Sequence, residues 1–452
     1  MMGSQAEQDA LFYNFSLDRH VPADHLLRSI DRFVDLSEVR RDLAPFYSAI
    51  GRPSVDPELM IRMLIVGYCF GIRSERRLCE EVHLNLAYRW FCRLGLDGDV
   101  PDHSTFSKNR HGRFRDSDLL RKVFETVVRR CMAEGLVGGD GFAVDASLIK
   151  ADANKQRSAE AADDVDWEAM AATRRSVREY LDTLDEAAWG AASQTRPKFV
   201  SRSDPAAQWT GAHKGHAFFA YATNYLIDLD HAIIVDVEAS RAIRQAEVGA
   251  ARTMIERTEA RFGLYPERLA ADSAYGSAEM LGWLVHERGI EPHIPVFDKS
   301  ARTDGTFERE TFTYDHDRDV YICPAGKKLT CTGTLVNDGA TLLYRASKYD
   351  CDPCPMKPRC CPKTPARKVP RSIYEGARDV ARGIATTEEG RTSRRLRKKV
   401  EMLFAHLKRI LRLDRLRLRG PTGAHDEFLL AATAQNLRKL AKLIPMSEPK
   451  PA

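Results

Sequence analysis

The first feature that could do chemistry is a single acid set in a row of cations. Glu401 follows Arg397 by four residues and Arg394 by seven, and precedes Lys408 by seven. At about 100° per residue, all four positions share one narrow face of a helix. Leu396, Val400, Leu403, Leu407 and Leu411 form a neighbouring apolar stripe that would anchor that helix to a core. A surface salt-bridge face would carry acids and bases in comparable number. A phosphodiester with bound metal ions accounts for the imbalance, because metal takes the carboxylate while phosphates take the Arg and Lys. The surroundings agree: Arg391 to Arg419 holds twelve Lys or Arg against two acids, Glu401 and Asp414, a density that marks a phosphate footprint.

Two further acids need explaining. Asp145 lies in the apolar run FAVDASLIK, and Asp272 ends the run LAAD just before a turn containing Gly276. A charged group among apolar neighbours needs a partner, and a divalent cation is one. Taken singly, either Asp reads first as the cap of a following turn. Together with Glu401 they read as a metal site.

The row of Arg397, Glu401 and Lys408 resembles the signature Y-x2-R-x3-E-x6-K of bacterial insertion-sequence transposases of the DDE type. Arg394 stands where that signature has Tyr, so any role of the tyrosine in handling a DNA end does not carry over. FAVDASLIKADANK resembles the first-Asp strand of these enzymes, LAADSAYGS their second-Asp strand with its Tyr-Gly turn, and GRPSVDPELMIRMLIVGYCFGIRSERRL with PDHSTFSKNR their N-terminal helical domain. The resemblance implies a ribonuclease-H-like α/β fold with a mixed-sheet catalytic core. It also implies that Asp145, Asp272 and Glu401 are catalytic and bind two Mg²⁺ (or Mn²⁺) ions. Arg394, Arg397 and Lys408 would contact DNA. The implied reaction cuts the element's ends and joins the resulting 3′-hydroxyl to target DNA, with no covalent enzyme intermediate. The implied partners are double-stranded DNA, as inverted repeats and target, and a second copy of the chain bridging two ends. Two other readings stand beside it: a domesticated, non-catalytic DNA-binding regulator, and a nuclease without strand transfer.

The elements that must position these residues can be read from pattern. Residues 1–135 read as helical. Asp56 caps a helix with Pro57 in its first turn, and Ser74 caps another. The short helices of SERRLCEE and LNLAYRWFCRL, with Arg76, Arg77 and Arg89, are compatible with a helix-turn-helix DNA reader. The commoner alternative is that Tyr88, Trp90 and Phe91 are simply core. Residues 136–300 read as the first part of the catalytic core: a strand over 142–150, a charged helical region over 163–188 and a loop over 196–210. A strand pair over 218–237, a helix over 247–262, a strand over 268–272, a helix over 278–288 and a strand over 293–297 complete it. Residues 301–375 read as a Cys-rich insertion, and 376–445 as the helix of Glu401 with the C-terminal part of the core.

Six of ten cysteines fall in that insertion. Cys351, Cys354 and Cys360, with Cys323 in a Cys-Pro pair, have spacing suited to one tetrahedral Zn²⁺, with Cys331 and Cys361 as spares. A reduced, metal-free insertion fits equally well. Two weaker candidates remain. His213-Lys214 could reach an active site or lie in a solvated loop, and Asp204, before Pro205, reads as a turn residue.

Bulk properties constrain little beyond this. The 452 residues suffice for two or three domains, and 43% hydrophobic with 29% charged residues is ordinary for a globular chain. The net charge of +5 does not by itself argue for a polyanion. No apolar-cored leader opens the sequence and no apolar stretch reaches about 18 residues, which reads as a cytoplasmic protein, nucleoid-associated when bound to DNA and with no membrane partner.

Overall fold

From Leu17 to Ala133 the chain forms helices, and among the described residues no strand precedes Gly141. The computed structural model describes residues 14–48, 50–51, 53–160, 165–193, 197–211, 215–298 and 303–445. The chain packs as two units: Met1–Gly138, Ala146–Leu264 and Lys399–Ala452 form one, and Gly139–Asp145 with Tyr265–Lys398 form the other. It passes between them inside a strand, after Asp145, and inside a helix, after Lys398.

In the first unit, helix Pro57–Cys69 starts where expected. Asp56 accepts from the Glu58 N–H at 2.9 Å, and Pro57 fills the first turn, where its missing N–H costs nothing. Every residue from Met60 to Cys69 is buried, so this is a core helix without a solvent face. It packs with helix Gly420–Leu443, which is buried along most of its length and also packs with helix Leu119–Ala133. Some of the polar groups enclosed by this packing are paired. Arg73 donates to Glu427, which also accepts the Arg417 and Leu418 N–H groups at 2.6 Å each.

The sheet of the first unit includes the second half of β1 (Gly141–Lys150), which lies beside β5 (Ala217–Asp228). The outer strands are β2 (Ser158–Glu160), β3 (Phe199–Ser201) and β4 (Gln208–Gly211), and β6 (Ile234–Arg241) completes the set. β5 pairs antiparallel with β4 over residues 217–220 and with β6 over residues 221–227. The expected loop over 196–210 therefore contains two short strands. At three and four residues they are too brief to show a period.

In the second unit, residues 141–143 of β1 pair parallel with β7 (Arg268–Ala270), and β7 pairs parallel with β8 (Glu291–His293). β8 ends at His293, earlier than the pattern suggests. The Cys-rich segment forms a second, antiparallel sheet. Its strands are β9 (Thr313–Asp315), β10 (Val320–Ile322), β11 (Lys328–Val336), β12 (Thr341–Ala346) and β13 (Lys368–Ser372), in the order β13-β12-β11-β10-β9. Phe312, Tyr321, Leu329, Tyr344 and Val369 are its core, with the Tyr321 and Tyr344 rings edge-to-face at 5.2 Å. Two helices follow rather than one. Glu375–Thr386 ends at Thr387, whose backbone is extended, and Glu388–Arg409 begins immediately after.

Candidate active site

Parallel pairing sets Gly141 opposite Arg268, Phe142 opposite Leu269 and Ala143 opposite Ala270. Asp145 and Asp272 each stand two residues beyond that last pair, so one register brings both acids to the same level. Neighbouring strands lie about 4.8 Å apart, which sets the two backbones within one strand spacing. The chain remains extended at Asp272 (φ −83°, ψ 177°). There Oδ1 accepts the Ala274 N–H at 2.7 Å, capping the turn Ser273–Tyr275. The capping expected of an isolated Asp is thus present, and it engages one oxygen of two.

Asp145 has an 18% exposed side chain, and Nη1 of Arg397 lies 3.5 Å from its Oδ2. A cavity of about 280 Å³ opens beside Asp272, walled by Ser273, His293, Ile384, Arg394 and Arg397. It gathers one carboxylate and two guanidinium groups, the mixture a phosphate and a hard cation require together. His293 is not singled out by the sequence. Its side chain is 2% exposed, and Nδ1 is buried with no hydrogen-bond partner among the described residues. The signal that could have found it is a histidine at the head of the apolar run IPVF, opposite Ala270.

Glu401 is exposed on helix Glu388–Arg409, one turn after Arg397, and belongs to the first unit. Val400, Leu403, Leu407 and Leu411 are buried, as the apolar stripe requires. Lys408 is half-buried, and burial lowers its pKa from the ordinary lysine value. Arg76 and Arg77 are exposed on helix Glu75–Leu84, Arg77 within 3.0 Å of Glu81. Arg89 is not available to DNA: it is buried and donates to the carbonyls of His83, Gly95, Leu96 and Gly98. Tyr88 and Phe91 are core, as their apolar setting suggests.

Cys323, Cys351, Cys354, Cys360 and Cys361 line a single pocket, and all ten cysteines are free thiols. Among the described residues, no group of three or more His, Cys, Asp or Glu is disposed to hold a metal ion. The expected quartet of Cys323, Cys351, Cys354 and Cys360 shares that pocket without forming such a group, and Asp145 and Asp272 are likewise joined by no third ligand of this kind among the described residues. Cys323, Cys331 and Cys360 instead pack against the core of the small sheet, and burial raises the Cys360 thiol to about 11. His213 and Lys214 lie outside the described residues. Asp204 is more than a turn residue. It is fully buried, accepts from the Tyr221 hydroxyl and from the Gly420 N–H at 3.2 Å, and is pushed up to about 7 by burial. No described helix is long and apolar enough to cross a membrane.

Residues 15–112 match the family model of a transposase domain (DUF772), and residues 322–441 match that of a transposase DDE domain. Arg394, Arg397, Glu401 and Lys408 fall inside the second match, while Asp145 and Asp272 lie outside both. In three dimensions the chain is similar to piggyBac transposase, solved by cryo-EM as a synaptic complex with hairpin DNA. The identity is 9%, over 92% of this chain and 75% of that one, with a TM-score of 0.33.

Proposed function

The chain belongs to the DDE-type transposases of insertion sequences, and from that premise we propose that it cuts the ends of its element and joins them to target DNA in a metal-dependent reaction. The observation that carries the reading is the pair Asp145 and Asp272, each two residues beyond the last pair of two adjacent parallel strands, with Arg394 and Arg397 beside them. Transposases of this type use divalent metal ions, and the donor set fits: carboxylate oxygens are the ligands that magnesium prefers. Asp145 and Asp272 would hold the metal, and Glu401 is assigned as the third ligand on the sequence signature alone. Magnesium bound there supplies the positive charge that activates the attacking oxygen and stabilises the leaving one.

The chain's own groups do the positioning. The turn after Asp272 fixes one carboxylate oxygen and leaves the other for a ligand. Arg397 neutralises Asp145 and, with Arg394, offers guanidinium donors to a phosphate. In the cutting step, water attacks phosphorus and the bond to the 3′ oxygen breaks, leaving a 3′-hydroxyl and a 5′-phosphate. In the joining step, that hydroxyl attacks a target phosphorus and displaces another 3′ oxygen, so the number of phosphodiester bonds is conserved. A ribonuclease-H-like core, a dimer bridging two ends, and DNA contacts by Lys408, Arg76 and Arg77 belong to the same reading.

The test is a supercoiled plasmid carrying the cognate inverted repeats, incubated with Mg²⁺. Cleavage and joining that disappear in Asp145→Asn and in Asp272→Asn, with DNA binding retained, support the proposal. Specific binding by the wild type with neither cleavage nor joining overturns it in favour of a DNA-binding regulator. Cleavage without joining leaves a nuclease.

A further inference from the structure

The first unit contains an open cavity of about 690 Å³ walled by five arginines: Arg157, Arg174, Arg175, Arg202 and Arg419. They come from separate places in the chain. Arg157 closes a short turn before β2, Arg202 follows β3, Arg174 and Arg175 open helix Arg175–Asp182, and Arg419 precedes helix Gly420–Leu443. Both helices thus carry arginine as the cap residue, and neither cap side chain bonds to the helix. That is the wrong residue for a helix start, where the backbone dipole disfavours positive charge and Ser, Thr, Asp or Asn would satisfy the free N–H groups. Local rules broken twice at one cavity point to function.

Among the described residues the charge is neutralised only in part. Asp152 is shared between Arg415 and Arg419, each at 2.8 Å, and Glu179 between Arg115 at 2.6 Å and Arg175 at 3.0 Å. Arg157, Arg174 and Arg202 have no carboxylate partner among the described residues. The site is also built rather than accidental. Buried Asp204 accepts the Gly420 N–H and so fixes the backbone beside Arg419, while the Ser176 hydroxyl donates to the Ser203 carbonyl at 2.7 Å, tying a helix start to the loop of Arg202. Gly420 allows the close approach: its φ is +85°, and an added Cβ would stand 2.5 Å from Glu179 Oε2 and 3.1 Å from Ser176 Cα.

We propose that this five-arginine cavity grips the phosphodiester backbone of DNA, at a site separate from Asp145 and Asp272. The proposal rests on the transposase reading for the identity of the polyanion. Guanidinium groups match phosphate oxygens two at a time, and an open cavity lined by arginine and serine suits a backbone better than a compact apolar ligand.

The test is the affinity of the full chain for a mixed-sequence DNA duplex, measured by fluorescence anisotropy over a series of salt concentrations. Asp145→Asn serves as the background, so that no DNA is cut. Adding Arg157→Gln and Arg202→Gln, both exposed, removes two contacts. The slope of log K against log salt should fall by about 2, and affinity at 0.15 M salt should weaken roughly thirtyfold. Arg129→Gln with Arg130→Gln removes the same charge from helix Leu119–Ala133 and should leave the slope unchanged; melting curves confirm that both double variants are folded. A slope for Arg157→Gln/Arg202→Gln equal to that of the control overturns this proposal and leaves the transposase reading intact. Failure of the background protein to bind any duplex overturns both.

Discussion

Gly276 follows Asp272 by four residues, and its substitution tests whether the turn that presents that acid is set by space. Its backbone (φ −82°, ψ 24°) is open to any residue, so conformation does not demand glycine. Room does. A Cβ added there would overlap the Pro295 carbonyl oxygen and stand 2.8 Å from the Phe297 nitrogen, and the Phe297 N–H already donates to the Gly276 carbonyl at 2.8 Å. These neighbours are backbone, so no rotamer change relieves the clash. Overpacking of this kind costs about 1–3 kcal/mol, and a weakened hydrogen bond adds about 1, giving about 2–4 kcal/mol for Gly276→Ala. At about 2–4 °C per kcal/mol, the melting temperature should fall by roughly 5–15 °C. Gly383 supplies the internal control. It lies within helix Glu375–Thr386, and a Cβ added there would meet nothing within 4 Å, so the same change should stabilise by about 0.5–1 kcal/mol. Thermal unfolding of both variants, with plasmid cleavage measured well below the lower melting temperature, makes the comparison. Pro295 is part of the cavity wall beside Asp272, so Gly276→Ala should also lose cleavage while Gly383→Ala retains it. Shifts of the same sign in both variants, or a Gly276→Ala protein melting within about 1 °C of the wild type, would refute the spatial argument.

Other expectations follow from buried charge. Burial pushes Asp204 and Asp426 up to about 7, above the ordinary carboxylate value near 4, so the folded state holds protons that the unfolded state releases. Their stabilising contribution is complete below about pH 4 and is lost as pH rises through about 7, at about 1.4 kcal/mol per pH unit for each. Asp204→Asn should therefore flatten the fall in melting temperature between these limits, and a profile parallel to that of the wild type counts against the assignment. Glu427→Ala strands the buried Arg73 guanidinium and two backbone N–H groups, and should cost about 3–5 kcal/mol by urea denaturation. A loss under about 1 kcal/mol would mean that Arg73 finds another partner. Asp56→Ala removes the cap of helix Pro57–Cys69 and should cost about 1 kcal/mol in the same assay.

Much of this was legible in the chain itself. The cap at Asp56, the strand around Asp145, the paired strands after Ala217, and the helix of Glu401 with its buried leucines all follow from local chemistry and periodicity, which act within a few residues. The motif spacing was enough to identify the family. Other features depend on residues far apart in sequence and could be decided only in three dimensions. The level placement of Asp145 and Asp272 comes from a parallel register between segments more than a hundred residues apart. Arg89, basic and set on a short helix, is withdrawn from DNA by four carbonyls that enclose it. The small sheet was hidden because β9 and β10, at three residues each, are too brief to show a period and β11 is largely exposed, while Cys323, Cys331 and Cys360, in a segment whose spacing suggests zinc, pack against its aromatic core. Asp204 reads as a turn because its partners, Tyr221 and Gly420, are reached only by folding. Spacing along a chain fixes which side chains share a helix face or strand; which charges meet across elements is set by long-range packing, and the arginine cavity exists only at that level.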